Sequence, residues 1–142
     1  MEKAFTHGIG SDFHFQWYAT DLNYYPYLWL FQFAWQDPAH CYGVEIHPDG
    51  GGNWHIRVGQ CSGSVYLTSY NDAAVTLSYS TVYTVDVHWD TVNLIGASVN
   101  GVGASYIPTL GYTSKDYIAF YQNMGSYPGG KSLYADYVQA YY

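Results

Sequence analysis

The stretch HCYGVEIHPDGGGNWHIRVGQC, His40 to Cys61, constrains the fold of this chain more than any other. Folded back about Asp49-Gly50-Gly51-Gly52-Asn53, it sets Cys41 opposite Cys61, Val44 opposite Val58 and Ile46 opposite Ile56. The same register opposes Glu45 to Arg57 and His47 to His55. Side chains alternate across a strand, so the four aliphatic residues share one face, and the cysteines, charges and histidines share the other. A slip of one residue would break the apolar, ionic and thiol matches together, so the residues predict an antiparallel hairpin in this register.

The opposed cysteines predict a cross-strand disulfide, Cys41 to Cys61. Closing a loop of about twenty residues would stabilise the fold by roughly 3 kcal/mol in the chain-entropy model. A bridge of that kind points to an extracellular, secreted or cell-surface setting. The alternative is a reduced pair in a cytosolic protein, because strand pairing alone does not guarantee bonding geometry.

Other strand-like runs recur between turn signals. DFHFQWYAT alternates, with Phe13, Phe15 and Trp17 on one face, and LWLFQFAW follows it. SVYLTSY, Ser64 to Tyr70, reads as a short strand ended by Asn71-Asp72. VYTVDVHW turns at Asp90-Thr91 into VNLIGASV, and Asn100-Gly101 is a two-residue hairpin signal leading into VGASYI. DYIAFYQN and the terminal LYADYVQAYY complete about ten strands, with no sustained helical periodicity. The 142 residues are the length of one domain, and 18 tyrosines with many Val, Thr and Ser favour pleated surfaces. The expectation is one all-β domain spanning residues 1–142, an antiparallel sandwich of two sheets or a jelly roll.

Charge and hydropathy exclude two kinds of partner. Four Lys plus Arg against eleven Asp plus Glu leave no basic footprint for nucleic acid. The longest apolar run, Tyr24 to Trp35, is too short for a membrane span and reads as a buried strand. The amino terminus MEKAFTHG lacks the apolar core of a secretory leader, so the chain is either not exported as written or has lost its leader, with Met1 then artificial.

Taken in order, DFHFQWYAT, CYGVEIHPDGGGNWHIRV, YTVDVHWDTVNLIGASVNG, DYIAFYQN and YADYVQAYY resemble the concanavalin A-like lectin/glucanase superfamily, in its laminin-G-like branch. The resemblance spans nearly the whole chain but consists of strand signatures, with no functional motif. It implies a jelly-roll sandwich whose concave sheet or loop rim binds carbohydrate in many members and serves adhesion in others. The superfamily's Glu-x-Asp-x-x-Glu strand is absent, and the chain holds two glutamates, Glu2 and Glu45. Glycoside hydrolysis needs two carboxylates about 5 to 9.5 Å apart, whereas Asp86 and Asp90 of DVHWD should lie about 13 Å apart on one strand. A diverged hydrolase or lyase is therefore the weakest reading, and no catalytic residue is expected.

Several residues are candidates for binding. His47 and His55 can present two imidazoles to a transition metal with Asp49 or Asn53, though the nearby Arg57 opposes a cation. The resemblance makes structural calcium the more plausible metal, with Asp21 and Asp136, and also Asp37 and Asp72, near strand ends. Cys61 with His40 as base has the makings of a nucleophile, but the disulfide explains the same residues more simply. Aromatic rings stack on the CH faces of sugars while polar side chains take the hydroxyls. Trp89, alternating with Val85 and Val87, is expected in the core, and Trp54, at the mouth of the Gly-rich turn, is expected to be exposed. With Trp54, the residues His47, His55, Tyr121, Asn123 and Tyr127 form the candidate glycan site. Two functions follow: a non-catalytic extracellular carbohydrate-binding module, or a structural subunit of a filament or surface layer that self-associates through tyrosine-rich faces.

Overall fold

The computed structural model describes residues 2–4, 11–19, 28–37, 39–48, 53–78, 81–91, 94–112, 117–123 and 133–141. Eleven strands run through them: β1 (Glu2–Ala4), β2 (Ser11–Ala19), β3 (Leu28–Asp37), β4 (His40–Pro48), β5 (Trp54–Ser62), β6 (Ser69–Val75), β7 (Tyr83–Thr91), β8 (Leu94–Val99), β9 (Val102–Tyr106), β10 (Tyr117–Asn123) and β11 (Leu133–Tyr141). They form two antiparallel sheets. One has six strands in the order β1-β10-β3-β4-β5-β6, and the other has five in the order β11-β2-β7-β8-β9. No helix among the described residues is long and apolar enough to cross a membrane.

The central hairpin adopts the register read from the sequence, with Cys41 opposite Cys61, Glu45 opposite Arg57 and His47 opposite His55. Its aliphatic face points inward: Val44, Ile46, Ile56 and Val58 are at most 1% exposed. From the other sheet, Val85, Val87, Trp89, Ile95 and Val99 meet them, so alternation on both sheets fills one shared core. Trp89 anchors its aromatic part, with its ring 5.8 Å from Phe33 and 5.6 Å from Tyr42. Asn100 and Gly101 both take positive φ, 50° and 74°, which is the two-residue turn their sequence predicts.

Two side chains seal the sandwich. Gln60 is buried, donates to Thr109 Oγ1 at 2.9 Å and accepts from the Thr109 amide at 3.2 Å, which fastens residues 107–112 over the core. Tyr42 Oη accepts from the Tyr112 amide, and Tyr112 Oη donates to the Cys61 carbonyl. Along the open side, Asn71 Nδ2 donates to the Ser105 carbonyl and Tyr106 Oη to Ser69 Oγ, tying β6 to β9 across the two sheets.

The sixth strand departs from the sequence reading. Residues 64–68 are not a strand, and β6 begins at Ser69 and runs through Asn71-Asp72, where the sequence suggested an end. Gly63, with φ of 71°, turns the chain back, and its amide donates to the Ala39 carbonyl. Asn71 and Asp72 are tolerated inside a strand because each has a cross-strand or cross-sheet partner. Gly59 permits the close approach of β6: a Cβ there would collide with the Ser69 carbonyl oxygen and sit 2.7 Å from the Tyr70 Cβ.

Candidate functional site

The outward face of the six-stranded sheet follows from the register. Glu45 on β4, Arg57 on β5 and Asp72 on β6 form one row, with His47, His55 and Ala74 in the next. Arg57 lies at the centre. Its Nη1 is 3.8 Å from Glu45 Oε2 and its Nε is 4.0 Å from Asp72 Oδ2. Both contacts compensate charge, and both are too long to be hydrogen bonds. The guanidinium also rests on the ring of Tyr70, 4.6 Å from its centroid, a cation–π contact. Asp72 Oδ2 completes the group at 2.8 Å from His55 Nδ1.

Exposure grades steeply across this group. Glu45 is 3% exposed although it lies on the outward face, whereas Tyr70 is 42% exposed. Burial pushes the Glu45 carboxyl above the ordinary glutamate value, opposed by the Leu67 amide and by Arg57. Chemically, the arrangement is a charge-balanced cation on an aromatic platform, flanked by a half-exposed carboxylate and an imidazole. Such a set donates to and accepts from hydroxyl groups beside an apolar ring face.

Of the residues singled out from sequence, His47 and His55 fall on this face. Backbone register sets Tyr121 opposite Leu30 and Asn123 opposite Leu28, and Leu30 in turn pairs with Glu45. Tyr127 and Asp21 lie outside the described residues. Asp136 belongs to β11, at its register irregularity in the five-stranded sheet. Trp54 requires correction: it is 5% exposed and belongs to the core cluster. The parity that turns Ile56 and Val58 inward turns Trp54 inward too, and this outweighs its place beside the turn.

The cysteines also require correction. They stand opposite each other, as the register predicts, but as free thiols with no exposed surface, packed against Leu67. Burial pushes the Cys41 thiol far up, so the thiolate that oxidative coupling needs is scarce, and the pair behaves as two small apolar side chains. The same burial disfavours Cys61 as a nucleophile, and His40 is turned to Asp37, with Nδ1 2.8 Å from Oδ1. Asp72, weighed as a calcium ligand, is engaged with His55 and Arg57. Among the described residues no group of three or more His, Cys, Asp or Glu side chains is arranged to hold a metal ion.

Arg57, Tyr70 and Asp72 were legible in part. The hairpin register paired Arg57 with Glu45, but nothing local showed that β6 would add Tyr70 and Asp72 beside it.

The architecture is a jelly-roll β-sandwich of the concanavalin A-like type, and solved structures similar to this chain include galectins. A toad ovary galectin in complex with N-acetylgalactose superposes with a TM-score of 0.71 at 10% identity, covering 99% of this chain and 97% of the galectin. Galectin-Ib of Xenopus laevis gives 0.67 at 5% identity, over 99% and 98% of the two chains. A homodimeric agglutinin from chicken liver gives 0.66 at 7% identity, over 99% and 100%. No protein-family model and no curated protein sequence matches the chain. The likeness thus lies in the fold alone, and these structures do not show the laminin-G-like branch suggested by the strand signatures.

Proposed function

We propose that this protein is a non-catalytic, lectin-type glycan-binding protein whose ligand lies on the outward face of the six-stranded sheet, over Arg57. The carrying observation is the state of that guanidinium. It is neutralised by Glu45 and Asp72, both too far for hydrogen bonds, and supported by Tyr70. An arginine held in this way suits hydroxyl recognition, because its charge is balanced by carboxylates beyond hydrogen-bond distance while its planar fork rests on an aromatic ring. The galectin-like fold supports the reading, as does the bound sugar of the toad ovary protein. The extracellular setting expected from a disulfide loses that argument, since the thiols are free.

The test is calorimetric titration with galactose, N-acetylgalactosamine, glucose, mannose and their neutral oligosaccharides, on the wild type and Arg57→Lys. Lysine keeps the charge that Glu45 needs but loses the planar fork. The expected result is binding of at least one sugar family by the wild type and a loss of about tenfold or more in the variant. Failure of the wild type to bind any sugar, or equal binding by Arg57→Lys, would overturn the proposal.

A further inference from the structure

By alternation, half of the side chains on β3, β4 and β5 should face outward to solvent, yet one end of this face is covered. Gln32, Cys41 and Cys61 have no exposed surface, and Glu45 has 3%. The cover is a strap, residues 63–68, between β5 and β6. Its Gly63 amide donates to the Ala39 carbonyl, its Leu67 amide to Glu45 Oε1 and its Thr68 amide to the Gln60 carbonyl, while its Val65 carbonyl accepts from Gln32 Nε2. Val65 and Tyr66 are half-exposed, whereas Leu67 turns in and is buried against the two thiols.

The side chains beneath Leu67 form a ligand set. Cys41 and Cys61 are opposed in the register and within hydrogen-bonding reach of one another. Opposed residues of an antiparallel pair have Cβ atoms about 4.5–5.5 Å apart. Two metal–thiolate bonds of about 2.3 Å in line span about 4.6 Å, so two sulfurs standing side by side on such a pair fit about a cation without a change of register. Gln32 supplies an outer partner: its Nε2 lies 3.6 Å from Cys61 Sγ, and a buried donor at sulfur stabilises thiolate charge. Among the described residues no third His, Cys, Asp or Glu joins them in an arrangement that could hold a metal ion. Zinc takes four ligands in a closed site, whereas a soft monovalent d10 cation is satisfied by two thiolates in line.

We infer that Cys41 and Cys61 form a two-coordinate, bis-thiolate site for a soft monovalent cation of the copper(I) type, closed over by Leu67 of the strap. Binding breaks two S–H bonds and forms two metal–sulfur bonds. Both protons pass to solvent, and no electron changes hands. The metal itself drives off the protons that burial otherwise keeps on these thiols. Leu67 and the strap keep water, and with it further oxygen ligands, from the cation. The site is independent of the glycan reading, and the failure of either leaves the other standing.

Anaerobic titration of the reduced protein with copper(I), in competition with bathocuproine disulfonate, tests it. The wild type should take one copper(I) per chain from the chelator and keep its near-ultraviolet circular dichroism. X-ray absorption of the loaded protein should show two sulfur ligands and no nitrogen or oxygen, and zinc at the same concentration should leave the protein unloaded. Gln32→Leu should weaken copper(I) binding by about tenfold or more, as loss of an outer-shell partner does, and Cys61→Ala by more than that. Leu67→Ala, which opens the cover, should speed uptake from the chelator. No uptake by the wild type, nitrogen or oxygen ligands, equal loading with zinc, wild-type affinity in Cys61→Ala, or uptake only with loss of the native spectrum would overturn the site. Wild-type affinity in Gln32→Leu would remove Gln32 from it, and an unchanged uptake rate in Leu67→Ala would overturn the strap as its cover. X-ray absorption of the wild type decides the ligand set even where Cys61→Ala does not fold.

Discussion

The two sheets present outward faces built by the same alternation and with opposite character. On the six-stranded sheet, a folded-over strap buries Glu45, and Arg57 lies between carboxylates on an aromatic ring. On the five-stranded sheet, the row Asp12, His88, Gly96, Ser105 and the neighbouring Asp86, Ser98, Gly103 are small or half-exposed polar residues. Both faces hold a histidine–aspartate pair of similar length: His55 with Asp72 at 2.8 Å, and His88 with Asp12 at 2.6 Å. The difference lies in what surrounds the pair. His88 and Asp12 are 45% and 41% exposed at their side chains, where solvent screens the interaction. His55 is 22% exposed and shares its aspartate with a partly buried arginine. A polar pair becomes a candidate site when relief and burial raise the strength of its electrostatics, and residue type alone does not distinguish the two.

The sharpest break of this comparison turns inward, to the residue that the turn seemed to expose. Trp54→Ala should destabilise the fold by about 3–5 kcal/mol, as large-to-small core changes do, read from a denaturant midpoint. A Trp54 that served as a surface platform would instead leave the midpoint unchanged and reduce sugar binding.

A second test separates the faces by pH. Because burial raises the Glu45 carboxyl above its ordinary value of 4.5, its contribution to stability is complete below that value and is lost as pH rises through the folded value. Glu45→Gln retains an acceptor for the Leu67 amide and removes the ionisation. The melting temperature of the variant should therefore gain on that of the wild type as pH is raised from 4 towards neutrality, by the linkage relation. A constant difference across that range would show that Glu45 does not feel the strap. The smallest effect belongs to the other sheet: His88→Ala should change stability by less than about 0.5 kcal/mol and leave sugar binding untouched. A measurable loss of binding there would move the site to the five-stranded face.

Much of the fold was legible because strand neighbours in sequence pair in space. The hairpin from His40 to Cys61, the Asn100-Gly101 turn and the burial of Trp89 all follow from alternation and turn chemistry acting over a few residues. The candidate site was half legible. His47, His55 and the Glu45–Arg57 pair came from one hairpin, but Tyr70 and Asp72 arrive from β6, whose limits the polar Asn71-Asp72 disguised. Trp54 was misplaced because a position beside a glycine-rich stretch of sequence suggested exposure, while its parity with Ile56 already determined the opposite.

By itself, then, the sequence determined the register and the two faces of its central hairpin, since those depend on side chains that alternate and on partners close along the chain. Tertiary structure decided what covers each face. Whether β6 lies beside β5, whether residues 63–68 form a strand or a strap, and whether two opposed thiols meet solvent or Leu67 all depend on contacts between segments that no local pattern links. Burial is a property of the whole packed molecule, and it is burial that turns Glu45 and Arg57 from a cross-strand pair into the centre of a candidate site.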